Sequence, residues 1–331
     1  MSIRRLPSLV VLIVSCTSLA CTQGGDAPDP TPATNSIDTS TFAAQVASTD
    51  MAAGRDERVQ VGVVSSTQDA GVQLLSYGSV QLSFAFLGTD GSGEPQEGPA
   101  TSATYLPAPG TDDAGTEPTL TNPADARGVY QAEGIVFEDA GVWRATVSAD
   151  VAGMGPLKLE SNFVVKVGST LPAPGDRALR TENLTMDSKG VEPVAIDSRA
   201  QGDEPVPDPE LHRWTIAEAI GQHRPALVLF STPVYCLSQF CGPDAEALAQ
   251  LAKDYPDRAV FIHIEIWNLN TPDEKIANEA AADWLYRDGD LTEPWLYLIG
   301  ADGKIADRWG PLFDPAQVGA TLDALPPMEQ G

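Results

Sequence analysis

Basic residues are scarce in this chain: 20 Lys and Arg stand against 46 Asp and Glu among 331 residues, a formal net charge of −26. A phosphate backbone is repelled by such a surface, so nucleic acid is excluded as a partner, and electrostatic adhesion to anionic lipid is disfavoured. The acidity is spread along the chain and suits a solubilising exterior; a docking face for a basic partner or for cations is the other reading. Histidine is rarer still, at three residues, and cysteine numbers four. Residues 46–168 contain no His, no Cys and only two Met, Met51 and Met154, so that stretch lacks soft ligands for copper. A Gly-rich phosphate loop, a Gly-x-Ser-x-Gly nucleophile elbow and a metalloprotease helix are all missing. What remains is 42% hydrophobic, enough for two domains with real cores.

The cysteines fall into two pairs, Cys16 with Cys21 and Cys236 with Cys241. Residues 1–20 read as an export signal: Arg4 and Arg5 precede an apolar stretch from Leu6 to Ala20 that is too short for a membrane span. Ser18-Leu19-Ala20-Cys21 resembles the lipobox of bacterial lipoproteins. The resemblance implies cleavage before Cys21 and lipid on its sulfur, although Leu19 stands one place nearer the cysteine than usual. Ile13-Val14-Ser15-Cys16 competes, and an ordinary signal peptide or a retained anchor are the remaining alternatives. In each case the rest of the chain is exported, to a compartment where disulfides persist.

Residues 21–45, rich in Pro, Thr, Asp and Ala, read as a disordered tether. From 46 to 168 the pattern is all-β: Val59–Val63 and Val80–Phe86 alternate, and Gly128–Phe137, Gly141–Ala149 and Leu157–Val167 follow, with the longest turn region at Gly88–Ala126. Short strands with turn signals predict an antiparallel sandwich. Gly128-Val129-Tyr130 and the run Val136 to Arg144, with an Asp139-Ala140-Gly141 turn and an inward Trp143, resemble immunoglobulin-like exported domains of the YtkA-like type, which implies a spacer or interaction module. Residues 169–210 read as a connector.

The segment 211–331 has a different pattern. Thr215 and Glu218 form a capping box for a short helix. Ala226–Phe230 is a continuous apolar run suited to a strand buried on both faces. It leads to Ser231-Thr232-Pro233-Val234-Tyr235-Cys236-Leu237-Ser238-Gln239-Phe240-Cys241-Gly242-Pro243, and a helix with Pro243 at its first position. Strand Ala259–Ile266, a helix from about Asp273 to Leu285, strands Trp295–Ile299 and Lys304–Trp309, and a helix from about Pro315 to Leu325 complete the order β-α-β-α-β-β-α. That order, the cysteines at the strand-to-helix junction, and Glu293-Pro294-Trp295 ahead of the next strand resemble the extracytoplasmic, TlpA-type thioredoxin-like proteins over residues 172–326. The predicted fold class is therefore multidomain: an N-terminal all-β immunoglobulin-like sandwich and a C-terminal α/β thioredoxin-like fold.

The resemblance implies a Cys236–Cys241 disulfide, with Cys236 attacking, Cys241 resolving and Pro294 guiding substrate. It implies thiol–disulfide exchange with protein thiols or disulfides of the cell envelope, by a chain held to a membrane through its lipid anchor. No diffusible cofactor is needed, because the cysteines carry the electrons. Departures from the family keep other readings open. Four residues separate the cysteines where the family has two. Asp244 and Glu246 stand where they would oppose a thiolate. Leu227, Val228 and Leu229 supply no proton-transfer acid, and no Lys, Arg or His lies between Pro225 and Lys253. Cys241-Gly242-Pro243-Asp244 offers Cys241 as the alternative attacker. A structural disulfide in a binding or scaffold protein is the rival reading. A third is copper delivery, by resemblance to the Sco proteins, with His263 as the distant ligand. His263 otherwise suits the core strand, beside Glu265 on one face. His212 and His223 flank a short helix and suit solvent. Trp267, Trp284, Trp295 and Trp309 suit core or rim packing.

Overall fold

Period-2 alternation builds the first half of the molecule. In a computed structural model describing residues 37–111, 115–202, 204–236, 239–270, 274–287 and 289–328, nine strands precede residue 166. They are β1 (Phe42–Val46), β2 (Asp56–Thr67), β3 (Gly71–Ser76), β4 (Ser79–Phe86), β5 (Gln96–Pro107), β6 (Thr119–Thr121), β7 (Gly128–Val136), β8 (Gly141–Val151) and β9 (Gly155–Val165). In β4, Val80, Leu82 and Phe84 are buried while Ser79, Gln81 and Ser83 are exposed, the pattern of a sheet wet on one face. Strands β5 and β6 arise inside the region that the sequence assigns to turns, and β1 lies within the stretch read as tether.

The strands do not form the two packed sheets of a sandwich. They make one antiparallel sheet in the order β6-β3-β2-β7-β5-β4-β8-β9, with β1 also on β2. The sheet curls so that Ala52, between β1 and β2, bridges to Lys166 at the end of β9. Its inner face holds Val59, Val61, Tyr130, Phe137, Trp143 and Ala145. Phe137 meets Phe84, Phe163 and Trp143 edge-on, with ring centroids 5.0–5.4 Å apart, a favoured aromatic arrangement.

The second half contains α1 (Ile216–Gly221), β10 (Ala226–Ser231), α2 (Cys241–Asp254), β11 (Val260–Glu265), β12 (Trp267–Asn270), β13 (Lys275–Ala277), α3 (Glu279–Leu285), β14 (Tyr286–Arg287), β15 (Asp290–Leu291), β16 (Trp295–Ile299), β17 (Ile305–Trp309) and α4 (Pro315–Asp323). The capping box at Thr215 and Glu218 is present. Every residue of β10, β11 and β16 is buried. These strands and β17 form a sheet ordered β11-β10-β16-β17, in which β10–β11 is parallel and the other two pairings are antiparallel.

The predicted fold class is corrected on these findings. Of the described residues 40% are in strands and 16% in helices; the sheets are curled and mostly antiparallel, the helices are few, and the C-terminal half is not an α/β thioredoxin fold. Two additional hairpins, β12–β13 and β14–β15, interrupt the predicted order. The helix expected from Asp273 begins only at Glu279, capped by Asn278, whose side chain accepts from Ala280 N–H. Trp267-Asn268-Leu269-Asn270 alternates, a strand period that also places poor helix formers in the segment.

Both halves belong to one compact unit. Gln60 of β2, almost fully buried, donates through Nε2 to Leu312 O at 2.6 Å and accepts from Leu312 N–H at 3.2 Å. Arg58 of the same strand makes a two-pronged pair with Asp307 of β17, at 3.0 and 2.8 Å. Among the described residues no helix is long and apolar enough to cross a membrane. Residues 1–20, read as an export signal, and Cys21 lie outside the described residues.

Candidate functional site

The apolar run of β10 delivers the chain to its end at Ser231, where a turn closes from Tyr235 N–H to Thr232 O at 3.2 Å. Cys236 and Cys241 are joined by a disulfide with their Cα atoms 5.9 Å apart. Cys241 is the first residue of α2 and fully buried; Cys236 is half-buried. The helix therefore starts two residues before Pro243, its predicted first position. The consequence is electrostatic: Cys241 N–H, at the positive end of α2, donates to Cys236 Sγ at 3.3 Å. An amide and a helix N-terminus directed at one sulfur favour its thiolate.

An acid missing from the sequence reading stands at this bond. Sulfurs of both cysteines and a carboxylate oxygen of Glu293 lie within 4.8 Å of one another. Burial, then the nearby Glu265, raises the Glu293 carboxyl to about 7 against the opposing pull of Lys275. Glu293 precedes Pro294 through a cis peptide bond. Glu293, Pro294 and Trp295, with Thr49 and Pro311, line a cavity of about 220 Å³. The signal for Glu293 was its adjacency to Pro294; its position against the sulfurs comes from the tertiary fold.

The two helix acids separate in role. Glu246 is exposed. Asp244 is fully buried, and that burial raises its carboxyl well above the usual range. Burial thus disfavours the very charge that would oppose a thiolate there.

A second polar cluster gathers behind the disulfide loop. The segment read as a plain connector carries Asp197, which is fully buried; His212 and His263 are buried with it. Asp197 Oδ2 lies 3.3 Å from His263 Nδ1 and 3.5 Å from His212 Nε2. The expectation that His212 is solvated is thereby corrected, while His223 is exposed. Ser231 Oγ and His263 Nε2 are 2.9 Å apart. Arg199 binds the carboxylate through Nη2 to Oδ2 at 2.7 Å and Nε to Oδ1 at 3.0 Å. Burial alone would raise the Asp197 carboxyl, but the facing His212 and His263 rings and Arg199 hold it far below the usual range. Burial is the largest influence on His212 and lowers it below the ordinary imidazole value, against Asp197. Next to Asp197, Ser198 Oγ accepts from Val234 N–H at 3.1 Å and Ser198 N–H donates to Glu265 Oε2 at 2.8 Å. The cluster thus braces the loop that carries Cys236.

The structure brings Cys236, Cys241 and Glu293 together, with Pro294 following Glu293. It places His263 in the Asp197–His212 cluster, and the acid that joins the cysteines is Glu293. Trp284, Trp295 and Trp309 are buried and Trp267 is partly buried. No family model matches this chain, and no curated protein matches it.

Proposed function

We infer that the Cys236–Cys241 pair is redox-active and exchanges disulfides with protein thiols of the cell envelope, in a chain exported and tethered to a membrane by lipid on Cys21. The reading rests on the site, since function resides in local chemistry more than in fold. The observation that carries it is the Glu293 carboxyl beside both sulfurs, with an acidity near neutrality suited to moving a proton. Cys236 is the more accessible sulfur and receives the α2 amide, which favours it over the buried Cys241 as attacking thiol.

In the reduced chain the Cys236 thiolate attacks one sulfur of a partner disulfide, and the other partner sulfur leaves as a thiolate that takes up a proton from solvent. Cys241 then gives its proton to Glu293 and attacks Cys236 Sγ. The mixed disulfide breaks, the second partner sulfur leaves as a thiolate that takes the proton back from Glu293, and two electrons have passed to the partner as Cys236–Cys241 closes. Oxidation of a partner dithiol, which gives two electrons to the Cys236–Cys241 disulfide, is the same path reversed. The partner backbone lies along the cavity beside Pro294.

The test is turnover of a model protein disulfide by the full chain, together with the reduction potential of the pair. Exchange abolished in Cys236→Ser and a potential above about −300 mV support the reading. A potential well below that value with no turnover would leave a static disulfide in a binding or scaffold protein, the reading that complete burial of Cys241 favours.

A further inference from the structure

We propose that Asp197, His212 and His263 form a buried zinc site, separate from the cysteines, that locks the connector onto β11. Each of the three residues offers one ligand atom, and these atoms all lie within 4.8 Å of one another. Asp197 Oδ2 is 3.5 Å from His212 Nε2 and 3.3 Å from His263 Nδ1. These separations are long for an N–H···O hydrogen bond, and neither ring nitrogen has a hydrogen-bond partner. They match the edges of a coordination tetrahedron, because metal–ligand bonds of about 2.0–2.2 Å set neighbouring ligand atoms about 3.3–3.5 Å apart.

The surroundings suit a metal as well as the three atoms do. Neither nitrogen of His212 makes a hydrogen bond of ordinary geometry; the ring faces Asp197 Oδ2 at 3.5 Å and packs on the His263 ring with centroids 5.3 Å apart. On His263, Nε2 is taken by Ser231, at 2.9 Å from Oγ and 3.3 Å from the carbonyl oxygen. With its proton on Nε2, that ring presents the Nδ1 lone pair to the cluster, an outer-shell arrangement common at metal-binding histidines. Arg199 N–H and Nε hold Asp197 Oδ1 at 2.9 and 3.0 Å, and Arg199 Nη2 donates to Oδ2 at 2.7 Å, so the ion would share Oδ2 with the guanidinium through that oxygen's second lone pair. Asp208 neutralises Arg199 at 3.1 Å. Two imidazoles and a carboxylate form a ligand set used for zinc, with water as the fourth ligand. Because the three residues come from the connector, the turn before α1 and strand β11, one ion would tie together segments 15 to 66 residues apart in the chain.

The full chain, with its disulfide intact so that the thiols are blocked, is dialysed against Zn²⁺ both as isolated and after refolding from urea. Metal content, thermal stability and the imidazole NMR resonances are then measured. The expected result is one zinc per chain, a raised Tm, and shifts confined to His212 and His263 with His223 unmoved. His212→Gln and His263→Gln lose the bound zinc; Cys236→Ser/Cys241→Ser keeps it. Should either histidine variant fail to fold, the resonance pattern of the unaltered chain decides. No stoichiometric zinc, zinc that leaves both buried imidazoles unshifted, or zinc lost with the cysteines overturns the proposal.

Discussion

Arg308 Nη1 donates to Asp50 Oδ2 at 2.8 Å, joining the C-terminal sheet to the turn between β1 and β2 with both side chains nearly out of solvent. Nη2 of Arg308 also donates to Asp50 O at 3.1 Å, and Thr170 donates to Asp50 Oδ1 from its N–H at 2.8 Å and its hydroxyl at 2.7 Å. Lys166 Nζ also pairs with Asp50 Oδ1 at 3.1 Å, so it is removal of the acid that leaves buried positive charge uncompensated, at about 3–5 kcal/mol. Asp50→Ala should lower the unfolding free energy from urea titration by about that amount, and Arg308→Met by less, because Lys166 and Thr170 still hold the carboxylate. The unfolding of residues 36–331 should remain a single transition, because the pair lies inside one compact unit. Two separate transitions in the unaltered chain would contradict this.

Glu293 gives the exchange reaction a pH signature. Its carboxyl is raised to about 7, so it is protonated below neutrality and able to accept the Cys241 proton above it. The rate at which Cys241 resolves the mixed disulfide should rise through an inflection near pH 7. Glu293→Gln should remove that inflection and slow resolution by about 10²-fold at pH 8, within the usual range for general acid–base assistance. An unchanged profile in the variant would remove Glu293 from the mechanism.

Asp244 makes the opposite kind of prediction, on stability. The unfolded chain releases this proton in the ordinary carboxylate range, whereas burial raises the native carboxyl well above it. The native state then binds more protons than the unfolded state, so stability declines as pH rises above that range. Asp244→Asn carries no such penalty. Its urea midpoint should exceed that of the unaltered chain at pH 8, and the difference should shrink toward pH 4.

The disulfide closes a short loop, and the loop-entropy relation assigns it about 2 kcal/mol. Cys236→Ser/Cys241→Ser should lose stability on that scale, read from chemical denaturation under non-reducing conditions. A much larger loss would favour a structural bond over a cycling one.

Much of the strand content was legible locally. Val59–Val63, Val80–Phe86 and the segments from Gly128 to Val165 show strand alternation and are strands. The capping box at Thr215 and the buried run Ala226–Phe230 were equally plain. Reading Asp273–Leu285 as one helix failed because Asn278 caps a shorter helix and Lys275–Ala277 pairs with β12. The two-sheet reading failed because alternation shows which side of a strand is apolar; it does not tell whether the strands close into one curled sheet or pack as two.

The sequence alone determined the acidic surface, the strand-rich first half, the helix beginning near Cys241 and the spacing of the two cysteines. Those properties are set by composition and by neighbours within a few residues. Only the tertiary structure decided that Glu293 lies against the sulfurs, that Asp197 meets His212 and His263, and that Asp50 holds Arg308. Each of these relationships joins residues far apart in sequence. Each depends on burial, which controls charge and proton affinity by removing water and which no single segment can supply.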